Sequence, residues 1–330
     1  DHAATAQRIV DELRGGQGVD VVIAVAHEGC AADGTGEACE LGRTVSGIDL
    51  IVGGHTHVAL DEPVTAGKAT VVQTSAAGEM LGEVVLEIAA DRAVSVVGHT
   101  RVRLDESVRE DAAVAERVAA YRVALDKRLA SYSLGKRAAK AALTYRQTVA
   151  ESGFEVAHGA FREVPIGDLV TDAYLLVAAE VSPPSVRPAV AIEATGLIRD
   201  GLRPGAEGSL SFADLYRVLP LGRGFDGEVG YPLVTYHLSA RDLRAGLEIA
   251  ALAANMRMGK LIKYFLQTSG MKARYRAGGP MFKSVESIAL ADGKKLDLED
   301  DTRCLRVVSS LRVGELLGTV EKLSRGMLHM

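Results

Sequence analysis

Two short runs of β-branched residues constrain this chain most. Val19 to Val25 and Ile48 to Val52 each read as a buried strand, and each feeds a loop that carries histidine. The first run delivers Ala26-His27-Glu28-Gly29 and the second Gly53-Gly54-His55-Thr56-His57. A helical stretch, 37–46, lies between them, so strand, helix and strand follow in the order of a parallel sheet. Sites in open α/β sheets form at the carboxyl ends of strands. His27, His55 and His57 are therefore expected to share one end of one sheet. Imidazole suits zinc, iron, nickel and similar ions, and the paired glycines let the backbone turn close to one.

Composition narrows the class. A chain of 330 residues suits two domains, and 48% hydrophobic with 25% charged residues is the balance of a globular protein. The formal charge, 38 − 43 = −5, leaves no basic footprint for nucleic acid, and the absence of Trp removes the strongest base-stacking side chain. No apolar run approaches the roughly 18 residues of a membrane span. The chain opens on Asp1-His2-Ala3 with no signal-peptide pattern, which reads as a fragment or processed product. Cys30 and Cys39 either bridge one loop in an oxidising compartment or remain two thiols; Cys304 reads as core.

Along the chain, helix 3–15, strand 19–25, helix 37–46 and strand 48–52 give way to strands near 70–74, 81–88 and 93–103. One long helix is expected over 105–133, with Val108, Ala112, Ala115, Val118, Leu125, Leu129 and Tyr132 at helical spacing and Asp105–Arg109 as an i,i+4 pair. It reads as a connector between blocks or as a plain core helix. A second α/β block begins near residue 140. Pro165 opens a helix to about Glu180, and Ser182-Pro183-Pro184 breaks it. Ser211 and Ser239 cap helices, with Asp214 and Asp242 at the third position. Strands are expected over 188–193 and 229–238 and near 263–268, 284–289 and 303–309, before a last helix. The fold class is α/β, or α+β over the whole chain.

The ordered set of motifs resembles the bacterial 5′-nucleotidase and UDP-sugar hydrolase group of calcineurin-like metallophosphoesterases. The resemblance rests on Ala26-His27-Glu28-Gly29, Gly53-Gly54-His55-Thr56-His57 and Val71-Val72-Gln73-Thr74 with Gly78 and Leu81-Gly82. It continues through Phe161-Arg162-Glu163-Val164-Pro165-Ile166-Gly167-Asp168-Leu169, Gly196-Leu197-Ile198-Arg199, Leu219-Pro220-Leu221-Gly222 and Phe265-Leu266-Gln267-Thr268-Ser269-Gly270. It implies part of a metallophosphoesterase αββα sandwich over 1–103, a linker helix over 104–139, and a C-terminal substrate-binding α/β domain over 140–330.

The resemblance also implies a chemistry. Such enzymes hydrolyse phosphate esters with a metal-activated water at two divalent ions such as zinc or manganese. It carries His27, His55 and His57 over as metal ligands, with His55 and His57 serving different ions, and Arg162 and Arg199 as phosphate-holding forks. For Arg162 an ion pair with Glu163 is the competing reading. The family's Asp-x-His, bridging Asp and Asn-His-Glu motifs do not occur here, and the only asparagine is Asn255. No catalytic residue is therefore identified. At most one metal site is partly formed, and the chain as it stands is expected to lack hydrolase activity. The aromatic clamp for a nucleobase reads Leu221 and Leu311, the family's Asn reads Ala194, and Gly314 to Gly318 replaces a Gly-Gly-Asp-Gly motif. Phe225 either substitutes in the clamp or is core. The partner expected is a small phosphorylated molecule, nucleotides among the candidates, and the location the periplasm or cell surface. The alternatives are a non-catalytic module binding metal and a phosphorylated ligand, or the same fold acting on a cyclic nucleotide, a UDP-sugar or a sulfur ester.

Overall fold

The computed structural model describes residues 2–131, 143–159, 162–225, 227–256, 265–276, 280 and 282–323. The chain divides into two compact units, Asp1–Arg117 and Val118–Met330. Unit 1 contains α1 (His2–Asp11), β1 (Ile23–Val25), α2 (Glu37–Thr44), β2 (Leu50–Val52), β3 (Val64–Ala66), β4 (Ala69–Val72), β5 (Met80–Ile88) and β6 (Val94–Arg103). The boundary falls inside α3 (Ala112–Leu129).

The expected parallel sheet forms. β1 pairs with β2 and β2 with β4, all parallel, and β3 closes the order β1-β2-β4-β3 as an antiparallel edge. Connection through α2 makes β1 and β2 parallel. Ala38 and Cys39 of α2 share a core with Ile51, Leu60, Ala66 and Val71. The run at 19–25 is a strand only over its last three residues. Asp49 Oδ2 accepts the Val22 amide at 2.7 Å and is held by Arg14 Nη2 at 2.5 Å, so a side chain occupies the amide just before the ladder. β1 is also less buried than its composition predicts: Val25 is 85% exposed, and Ile23 is exposed beside it. β5 and β6 form a separate antiparallel pair.

The long helix starts later than its periodicity suggests. The Asp105 carboxylate accepts the amide and hydroxyl of Ser107, making a local turn in place of the expected pairing with Arg109. Val108 thus precedes the helix, and Asp111 Oδ1 takes the Val114 amide at the helix start. Tyr132 and the rest of the expected linker helix to 139 lie outside the described residues.

Unit 2 continues with β7 (Thr148–Glu151), α4 (Pro165–Val181), β8 (Val190–Ala194), β9 (Ser209–Ser211), α5 (Phe212–Val218), β10 (Leu233–Ser239) and α6 (Ala240–Met256). It closes with β11 (Leu266–Ser269), β12 (Met271–Tyr275), β13 (Val285–Leu290), β14 (Cys304–Ser310) and α7 (Leu311–Leu323). Its main sheet runs β10-β14-β8-β11, with β14 and β8 parallel and both edges antiparallel. All five residues of β8 are buried. Because side chains alternate along a strand, Val190, Ile192 and Ala194 meet Leu243 and Leu247 of α6 and Val313 of α7. Ala191 points the other way, into the cluster with Val170 and Tyr174 of α4.

Both predicted caps form. Ser211 Oγ accepts the Asp214 amide at 3.3 Å while Asp214 Oδ2 accepts the Ser211 amide at 2.8 Å, and Ser239 and Asp242 repeat the exchange. Cys304 is exposed at the first position of β14, not core, because it pairs with Ser239 at the end of the sheet. Phe225 is not core either. It is 91% exposed, in the turn that the Arg223–Val229 bridge closes.

Candidate functional site

In unit 1 the three parallel strands deliver three loops to one end of the sheet. β1 leads to His27, β2 to Gly53-Gly54-His55-Thr56-His57, and β4 to Gln73. The first two loops are stitched by backbone: the Ala26 amide donates to Val52 O at 3.0 Å and the Gly54 amide to Glu28 O at 2.8 Å. The Gly53 amide donates to Val72 O, which adds the third strand. Thr56 lies so close to Gly29 that a Cβ there would sit 2.1 Å from its hydroxyl oxygen, so only glycine allows this approach.

The rings of His27 and His55 face each other, centroids 4.8 Å apart and planes tilted by 51°. Both are exposed, as is His57. His55 and His57 adopt left-handed backbone at φ 63° and 59°. That region is uncommon for residues with a side chain and clusters where geometry serves a function. The Thr56 amide returns to Gly54 O at 2.6 Å, closing a three-residue turn around His55.

Two imidazoles at this separation fit as two ligands of one borderline cation. They do not make a complete site. Among the described residues no three His, Cys, Asp or Glu side chains group as a metal cage, so the expected third histidine, His57, does not join the other two. Glu28, the nearest acid in sequence, faces His2 Nδ1 at 3.7 Å.

Cys30 and Cys39 are joined in a disulfide, both residues buried, linking the segment after His27 to α2. The open alternative of two thiols is thereby closed.

In unit 2 the two arginines lie on loops tied by one side chain. Gln267 is fully buried on β11. Its Oε1 accepts the Val164 amide at 3.1 Å, and its Nε2 donates to Arg162 O at 2.9 Å and Thr195 Oγ1 at 2.8 Å. The loop before α4 and the turn after β8 are thus fixed to each other. The side chains of Arg162 and Arg199 are exposed, and Arg199 Nη1 donates to Gly196 O within its own turn. Acids gather around the start of α4, just after Arg162 in sequence. Burial pushes the Asp168 carboxyl up to about 6, with the charge and hydrogen bond of Glu163 and the charge of Asp172 adding to it. Glu163 therefore interacts with another carboxyl, a different arrangement from the local ion pair considered for Arg162.

Residues 138–305 match the family model described as the 5′-nucleotidase, C-terminal domain. The chain belongs to the 5′-nucleotidase family. A 5′-nucleotidase of Rattus norvegicus is 26% identical over 248 residues, covering 68% of this chain and 40% of the rat protein. That of Bos taurus is 27% identical over 297 residues, covering 83% and 46%. The chain therefore spans less than half the length of these relatives. The crystal structure of a 5′-nucleotidase precursor from Thermus thermophilus shares the fold, with a TM-score of 0.70, 22% identity, and coverage of 96% of this chain and 58% of that one.

Within this 5′-nucleotidase-family chain, the segments expected to form a base clamp have their own structure. Leu221 is partly exposed beside Gly222, on which the Tyr231 ring packs. Gly314 and Gly318 lie inside α7, so that stretch is helix and not a glycine-rich turn. A cavity of about 420 Å³ is lined by Gly224, Phe225, Glu228, Val229, Gly230, Tyr231 and Pro232. In the sequence, Gln73 and Gln267 stand only as marks of resemblance. Their roles as braces were missed; the one shared signal is that each opens a Gln-Thr-Ser tripeptide.

Proposed function

We propose that this chain is the histidine-bearing part of a metal-dependent phosphate-ester hydrolase of the 5′-nucleotidase type. The observation that carries this reading is the His27–His55 pair at the carboxyl ends of parallel strands, in a chain with a 5′-nucleotidase C-terminal domain. His27 and His55 hold one cation as neutral imidazole ligands, and His57 serves a second position. A divalent cation bound there supplies Lewis acidity toward a phosphoryl oxygen. Arg199 and Arg162 present permanently charged forks to the phosphate of a small substrate, a nucleotide being the class that the relatives' names suggest. Of the two, Arg199 is favoured, because the carboxyls of Glu163, Asp168 and Asp172 oppose an anion near Arg162.

The described donors include no acid that joins the histidines. The purified chain is therefore expected to bind zinc without turning over a phosphate monoester. Equilibrium dialysis should give a zinc affinity that falls at least tenfold in His55→Ala, and a colorimetric phosphatase assay with zinc or manganese should stay at background. An unchanged affinity in His55→Ala, or robust turnover, defeats the proposal.

The periplasm or cell surface is the proposed location, supported by the Cys30–Cys39 disulfide, which persists in oxidising compartments. Thiol titration of the denatured protein, isolated without reductant, should find one reactive cysteine before reduction and three after. Three from the outset contradict the location.

A further inference from the structure

One buried amide behind the histidines is left unused by the proposed chemistry. Gln73 is 1% exposed, the first residue after β4. Its Oε1 accepts the Cys30 amide at 3.3 Å, three residues past His27. Its Nε2 donates to Thr56 Oγ1 at 3.1 Å, next to His55, and to Val58 O at 2.8 Å, next to His57. Its backbone carbonyl takes the Leu60 amide at 3.0 Å. One side chain thus spans both histidine loops. Cys30, on the donating side, is itself fixed by the disulfide to α2.

Only a carboxamide satisfies this place. One end must accept from an N–H and the other must donate to a carbonyl and a hydroxyl oxygen. A glutamate would set an acceptor against Val58 O. A leucine would leave the Cys30 amide and Val58 O unpaired in a buried position. Among the described residues no other side chain is seen to bond to both loops. The backbone links at Gly54 and Ala26 hold the loop roots, whereas Gln73 reaches the segments that flank the rings.

We propose that Gln73 is the positioning residue of this site: it sets the separation of His27 and His55, and through it the affinity of that pair for a divalent cation. The inference rests on the metal-site reading above and goes beyond it. Residues that orient metal ligands without touching the metal typically govern affinity by about 10–100-fold.

The test is zinc binding to the full chain, measured by competition with a chromophoric chelator, together with the visible spectrum of the cobalt(II)-loaded protein. Gln73→Leu should fold, bind zinc about tenfold more weakly or worse, and shift the cobalt bands, which report ligand geometry. Thr56→Ala should weaken zinc binding several-fold, and Thr56→Ser, which keeps the hydroxyl, should restore it. Both Thr56 variants change an exposed residue and decide the matter if Gln73→Leu does not fold. A folded Gln73→Leu with wild-type affinity and spectrum overturns the role of Gln73. So does equal affinity in Thr56→Ala and Thr56→Ser. If wild-type chain binds no zinc, the metal-site reading itself fails. If wild type binds, His55→Ala does not, and Gln73→Leu binds as tightly as wild type, only the positioning role fails.

Discussion

Gln267→Leu should destabilise unit 2 by about 3 kcal/mol, one of the largest losses available from a single neutral substitution in this chain. Leucine fills most of the volume but makes no hydrogen bond. The Val164 amide and Thr195 Oγ1 are left without the partner they have in a buried setting, and each such group costs roughly 1–3 kcal/mol. Arg162 O lies nearer the surface, where water replaces the lost donor at little cost. Packing offers no easy relief, since the Gln267 side chain fills the space that a Cβ on Gly167 would need, 2.2 Å from its Oε1. The readout is unusually clean. All nine tyrosines follow residue 117 and the chain has no Trp, so intrinsic fluorescence during urea unfolding reports unit 2 alone. A shift corresponding to less than about 1 kcal/mol would mean that the amide is not what joins the two arginine-bearing loops.

Much of the scaffold was legible because local rules and the tertiary fold agree. The caps at Ser211 and Ser239 are short-range exchanges between a hydroxyl and an aspartate three residues on, and both formed. The histidine loops were legible for a similar reason: strand, helix, strand dictates a parallel sheet, and a parallel sheet fixes where its carboxyl ends lie. What escaped depended on partners far away in sequence. The strands β3, β7, β9 and β12 are three to five residues long and carry no periodicity strong enough to separate them from loops. The exposure of Ile23 and Val25 cannot be read from their composition, which is that of a buried parallel strand. Gln73 and Gln267 look like ordinary polar residues at strand ends, and their contacts span up to 105 residues of sequence. The left-handed φ of His55 and His57 turns the backbone in a way no one-dimensional pattern encodes.

Alternation along β8 produces one more consequence that a sequence reading passes over. It places Glu193 on the α4 side of the sheet, in a strand without exposure. Its Oε2 accepts from Tyr174 Oη at 2.8 Å and its Oε1 from the Ala194 amide at 2.7 Å. Burial raises the carboxyl above its ordinary value of 4.5, more than the hydrogen bonds from Tyr174, Ala194 and Ser310 lower it. The neighbours respond in the same sense: burial and the Glu193 charge push Tyr174 up, and burial chiefly pushes Tyr236 up to about 12. The sign for stability follows from linkage. A carboxyl raised in the folded state binds its proton more tightly there than in the unfolded chain. Its contribution is complete below pH 4.5 and declines as pH climbs above that value, until the folded-state group has also ionised. Over that interval a single such group steepens the loss by up to about 1.4 kcal/mol per pH unit. Glutamine removes the ionisation while keeping an oxygen for the Ala194 amide and a donor for Tyr174 Oη. Glu193→Gln should therefore match wild type near pH 4.5 and gain on it steadily as pH rises from there, as seen in urea midpoints followed by tyrosine fluorescence. Parallel pH profiles for the two proteins would place the proton on Glu193 no differently in the folded and unfolded chain, against a strand that gives this carboxylate hydrogen-bond partners and no exposure to solvent.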